Sequence, residues 1–135
     1  MTKKEQIMKA LEHMGYKPRY DDDGDVILRY QMKTLCFLTY DDDDDEGGSF
    51  VNVFLPQFCE FEEGEETLYL AACNRTTRDN RMVKVFVDHT LKNISASCEF
   101  FYDNEATLEM NIAKALVFLG LIRSDFRNCI KELSE

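Results

Sequence analysis

The sequence predicts an α+β domain, an antiparallel β-sheet with helices packed against it, in the order helix, three or four strands, helix, two strands, helix. Three observations carry that expectation. Apolar residues recur at intervals of three and four near both ends of the chain and once in its middle. Between those stretches lie short alternating runs, joined by connections too brief for parallel crossovers. Hydrophobic residues make up 44% of the 135, with ten Phe and six Tyr. That is enough for one proper core and leaves little room for a second domain.

The first helix is expected over residues 3–14. Thr2 caps it, and Glu5 three positions later completes a capping box. Ile7, Leu11 and Met14 share one face, with Met8 beside them, and Gly15 supplies the stop. Tyr16–Tyr20 is short and carries Pro18, which suits an edge strand. Asp21, Asp22, Asp23 and Gly24 form a turn. Val26, Leu28 and Tyr30 then alternate with Asp25, Ile27 and Arg29, and the nearly all-apolar Leu35–Tyr40 suits a central strand. A loop over 41–49 carries six acids and two glycines. Phe50–Leu55 follows as a strand that Pro56 is expected to end.

A middle helix is expected over 66–79, with Leu68, Ala72, Tyr69, Cys73 and Thr76 on its buried side. Glu65 and Glu66 at its start, and Arg75 and Arg78 near its end, complement the helix dipole. In Arg81–Asp88, Val83, Val85 and Val87 alternate with Met82, Lys84 and Phe86. Ile94, Ala96, Cys98 and Phe100 give the clearest period of two, after a hairpin turn at His89–Asn93. The last helix is expected over 105–133, capped by Asn104 or Asp103. Its apolar positions are Leu108, Ile112, Leu116, Leu119, Ile122, Phe126, Ile130 and Leu133. Gly120 is expected to bend or split it. Around Ala115–Ile122 it is apolar nearly all round, so it needs cover from the domain's own sheet and first helix or from a second subunit.

The net charge is −10. Residues 20–66 hold 15 of the 26 acids and only Arg29 and Lys33 as bases, giving −13; the rest hold 11 acids and 14 bases, giving +3. An acidic first half disfavours nucleic acid and anionic lipid as partners and suits a basic partner segment or cations. The same acids also act simply to keep the chain soluble. The five cysteines are odd in number and scattered, without a CxxC pair, which argues against a secreted disulfide framework. The N-terminal stretch lacks the apolar run of a signal peptide, and Ala115–Ile122 is too short to span a bilayer. The expectation is a cytoplasmic protein without a membrane segment.

The order of elements, together with the stretches LEHMGY, VILRY, FVNVFLP, LYLAACNRTT, MVKVFVD and ISASCEFFYD, resembles the YbjN family over nearly the whole chain. This bacterial family has a fold like that of the type III secretion chaperones. The resemblance implies an antiparallel sheet with helices against it, frequent dimerisation, and chaperone-like or adaptor-like binding of a protein segment without catalysis. It implies no particular partner, and it does not extend to the loop Asp41–Ser49 or to the acidic cluster Glu60–Glu66.

Chemistry-bearing motifs are few. Asp42, Asp44, Glu46 and Gly47 fit the opening positions of a calcium loop, but its closing glutamate would have to be Val53, and the flanks are strands. His13 and His89 fall at element ends without a nucleophile motif beside them, and there is no phosphate loop, dinucleotide fingerprint or HExxH. No catalytic, cofactor-binding or metal-ligating residues are assigned, and no cofactor. The candidate contact residues are aromatic: Phe54, Pro56, Phe58 and Phe61 after the fourth strand, and Phe86 and Phe101 on the more polar faces of theirs. The alternative role of Phe54, Pro56, Phe58 and Phe61 is to close the core beneath the middle helix; for Phe86 and Phe101 the alternatives are packing under a helix and a subunit contact. The reading is a non-enzymatic protein-binding domain and homodimer, with a cation- or ligand-sensing domain using the acidic loops as the alternative.

Overall fold

In the computed structural model, which describes residues 1–40 and 49–135, both ends of the first helix have visible causes. Helix α1 spans Lys3–His13; the Thr2 hydroxyl accepts the Glu5 N–H at its start, and Gly15, at φ 93°, turns the chain away at its end. The buried Lys3 reaches the sheet, where its ammonium donates to the carbonyls of Thr39 (3.1 Å) and Phe50 (3.3 Å).

Strands β1 (Arg19–Tyr20), β2 (Val26–Tyr30), β3 (Lys33–Leu38) and β4 (Phe50–Glu60) follow, then α2 (Glu66–Asp79), β5 (Val83–Val87), β6 (Asn93–Phe101) and α3 (Glu105–Leu133). The six strands pair antiparallel in the order β1-β2-β3-β4-β6-β5, so β6 lies between β4 and the edge strand β5. The expected edge strand at Tyr16–Tyr20 shrinks to its last two residues, because Pro18 has no N–H to give a ladder.

Pairing register sorts the side chains into two faces. Val53 lies opposite both Phe37 of β3 and Cys98 of β6, and Leu55 opposite Ala96. These residues, with Val26, Leu28, Leu35, Val51, Val83, Val85, Ile94 and Phe100, form the core against Ile7, Ala10 and Leu11 of α1, Ala72 and Cys73 of α2, and the α3 row Leu108 to Phe126. A fully buried aliphatic or aromatic side chain contributes about 1.5–3 kcal/mol, so this face dominates stability. All three helices pack on it. Helix α2 also guards the sheet's edge: the Thr77 hydroxyl accepts the Val85 N–H (2.8 Å) and donates to the Val85 carbonyl (3.3 Å). Those two groups would otherwise offer a free edge for strand addition.

Two expectations are corrected. Pro56 does not end β4. The ladder skips from Leu55↔Ala96 to Cys59↔Ile94, and this bulge absorbs the proline. Gln57 takes a left-handed φ of 41° there, and its N–H is accepted by the Ser95 hydroxyl at 2.9 Å. Gly120 does not split α3, which runs unbroken through 29 residues from an Asn104–Thr107 capping box. Its role is close approach. A Cβ there would stand 2.9 Å from Gln31 Oε1 and 3.5 Å from Tyr30 Cε1, so the β2–β3 turn rests on bare helix backbone. On the buried side of α2, Leu68 and Tyr69 are half-buried, whereas Ala72, Cys73 and Thr76 are fully buried.

Candidate functional site

The other face of the sheet carries no helix among the described residues. Period two along β4 puts Phe50, Asn52 and Phe54 on it; register then adds Cys36 and Leu38 of β3, and Ser97, Glu99 and Phe101 of β6. Lys84 and Phe86 come from β5. The aromatics meet one another. Tyr40 stacks on Phe50 at 5.6 Å, Phe50 meets Phe101 at 5.3 Å, and Phe54 stacks with Phe86 at 6.4 Å. Phe101 keeps 66% of its surface exposed and Tyr40 63%, while Phe50, Phe54 and Phe86 are half-buried. The patch has a polar floor. Asn52, Ser95 and Ser97 are buried among the rings; Asn52 donates to the Tyr40 hydroxyl at 3.1 Å. Lys84 and Glu99 form an ion pair beside it.

The six candidate contact residues therefore divide. Phe54, Phe86 and Phe101 share the helix-free face, and Pro56 sits half-buried in the bulge at its end. Phe58 and Phe61 turn to the helix side. Phe61 is only 6% exposed and stacks on Tyr69 at 5.0 Å, and Phe58 meets Phe126 edge-on at 5.6 Å. Phe61 is thus core and is not available to a partner. The sequence reading missed Leu38, Tyr40 and Phe50. The signal for Phe50 was present in the same alternation that carries Phe54; placing Leu38 and Tyr40 needed the β3–β4 register.

Among the described residues no cysteine with a lowered pKa is found. All five cysteines are free. Burial pushes the Cys73 thiol up to about 12 and the Cys98 thiol to about 11, and raises Cys36 and Cys59 as well. A reactive cysteine needs the opposite shift. His13 and His89 are both exposed, and the Glu109 carboxylate beside His13 raises its pKa. Asp88 is desolvated by burial, yet its bonds from Thr90 and Gln57 outweigh that and hold it low. No three His, Cys, Asp or Glu side chains converge on a point among the described residues. The calcium-loop residues Asp42, Asp44, Glu46 and Gly47 lie outside the described residues. No helix among the described residues is long and apolar enough to cross a membrane.

The class these features define is an α+β domain with a six-stranded antiparallel sheet, helices on one face and an aromatic-studded second face that carries no helix among the described residues. Two solved structures share its fold. YbjN from E. coli, provisionally described as a transcription regulator, superposes with a TM-score of 0.65 at 8% identity, over 88% of this chain and 87% of its own. An uncharacterized protein from Methanothermobacter thermautotrophicus gives 0.52 at 15% identity, over 92% of this chain and 99% of its own. No family model and no curated protein matches the sequence. The chain has a YbjN-like fold, as its element order predicts.

Proposed function

We propose that this chain is a non-enzymatic protein-binding domain whose helix-free sheet face receives a segment of a partner protein. The observation that supports this reading is the aromatic row Tyr40–Phe50–Phe101, continued by Phe54 and Phe86, with Tyr40 and Phe101 exposed and the other three half-buried, on a sheet face that carries no helix among the described residues. Exposed aromatics over a polar floor are the usual material of contact surfaces, whereas catalysis would call for converging ionisable groups. The chain is acidic overall, with a net charge of −10, so the segment proposed for it is apolar and basic.

Self-association is the second part of the proposal. On the outer side of α3, Met110, Val117 and Leu121 are each roughly half exposed, the last two on the stretch that is apolar nearly all round. Light scattering should give twice the chain mass, and Val117→Glu with Leu121→Glu should return it to one. The sheet-face reading is tested by comparing proteins retained from native extract by the wild-type chain and by Phe54→Ser/Phe101→Ser. A partner kept equally by both would refute it.

A further inference from the structure

The helix side carries a second feature, on the face opposite the aromatic patch. Phe58, Tyr69, Phe126 and Ile130 wall an open cleft of about 230 Å³ between α2, α3 and the end of β4. Its walls are braced by ring contacts: Phe58 meets Phe126 at 5.6 Å, and Tyr69 meets Phe126 at 6.0 Å. Cys59 lies in the lining, and Arg123 and Arg127 stand at the rim. The two arginines are one helical turn apart, about 6 Å along the axis.

Both arginines are exposed, and neither enters an ion pair among the described residues, whereas Arg75 and Arg78 are paired on α2. A third cation stands close. The Lys33 ammonium donates to the Gly120 carbonyl at 3.4 Å, and burial together with the Arg123 charge lowers its pKa. Three cations thus gather on a chain of net charge −10, and two of them repel each other. Glu65 is an acid near the cleft: its charge acts on Cys59 and Tyr69, and it accepts the Glu62 N–H. Volume decides between classes of occupant. Small-molecule sites commonly enclose ~300–1,000 Å³, so this cleft has room for about one side chain.

We propose that the cleft docks an acidic segment of a partner polypeptide: one aromatic or aliphatic side chain packs against the half-buried Phe58, Tyr69 and Ile130, and flanking carboxylates pair with Arg123 and Arg127. Guanidinium groups suit that task because their fixed fork meets a carboxylate two bonds at a time. This site is separate from the helix-free face, so either can fail alone.

Cys59 supplies a reporter inside the cleft. The probe is a capped pentapeptide alternating glutamate and phenylalanine, titrated calorimetrically against the full chain, with a lysine-for-glutamate peptide as control. In parallel, N-ethylmaleimide labelling of Cys59 and Cys36 is followed by peptide mass spectrometry. The acidic peptide should bind and slow Cys59 labelling while leaving Cys36 unchanged, and salt should weaken it. Arg123→Gln/Arg127→Gln, a change of two exposed residues checked by its melting temperature, should weaken binding by about tenfold or more and abolish protection. Arg123→Lys/Arg127→Lys should recover part of it, and Phe101→Ser should change nothing. Absence of binding at millimolar peptide, equal binding of the lysine peptide, or an unaffected glutamine variant would overturn the proposal. So would a shift from dimer to monomer in that variant, which would assign the cleft to a second copy of the chain.

Discussion

Replacing Phe61 and Phe101 by serine, one at a time, separates core from contact surface among residues that the sequence alone could not sort. Phe61 is 6% exposed and stacked on Tyr69, so its removal empties a core site. Truncating a buried Phe costs about 3–5 kcal/mol, and the stranded hydroxyl adds to that. Phe101 keeps 66% of its surface in water, so only about a third of its burial is at stake. From the ~1.5–3 kcal/mol of a fully buried side chain, that is about 0.5–1 kcal/mol. With a urea slope of ~1.5 kcal/mol per molar, the midpoint should fall by about 2.5 M for Phe61→Ser and by about 0.5 M for Phe101→Ser. Equilibrium urea unfolding followed by far-UV circular dichroism measures both. Equal midpoint shifts would refute the division of the aromatics into two faces.

Other perturbations test separate joints of the structure. Gln31 and Met32 both take left-handed backbone (φ 47° and 65°) in the β2–β3 turn, and Met32 is 84% exposed. Met32→Gly should therefore raise stability by about 1 kcal/mol in the same urea assay, since strain is relieved and no burial is lost. Gly120→Ala should raise it by up to ~1 kcal/mol through helix propensity, because the Gln31 amide that a Cβ would meet at 2.9 Å is the mobile end of a side chain; a loss of that size would show that the turn cannot yield. The Glu109 carboxylate raises the His13 pKa above 6.5, so this pair's contribution is fully present below the unfolded value and is lost as pH rises through the folded one. Melting temperatures of wild type and Glu109→Gln should differ below pH 6.5 and converge as the pH rises above it, and a constant gap would contradict the pairing. Millimolar calcium or magnesium should leave the wild-type melting temperature unchanged; an upward shift would favour a cation-sensing role.

Much of the architecture was legible because its causes are local. Gly15, the Asn104 cap and the alternation of Ile94–Phe101 each act within a few residues of themselves, and the elements end where they indicate. What escaped the sequence depends on a residue from elsewhere. Pro56 reads as a strand end until Ser95 takes the Gln57 N–H and the bulge lets β4 continue. Gly120 reads as a hinge until Gln31 and Tyr30 are seen against it. The contact surface suffered most from this. Phe54 and Phe58 are four residues apart, which simple alternation puts on one face, but the bulge between them re-aims Phe58 onto Phe126. The arginine-rimmed cleft was invisible for the same reason, since its walls come from β4, α2 and α3.

The central claim is that the open side of the sheet is where a partner docks. Site-specific photocrosslinking tests it most directly, with a benzoylphenylalanine at position 101 and, as a control, at position 70 on the outer side of α2, where Leu70 is also exposed. After irradiation in native extract, the account predicts a discrete protein adduct from position 101 that disappears when Phe54 and Phe86 are changed to serine. Adducts that form equally from position 70, or that survive those changes, would contradict it.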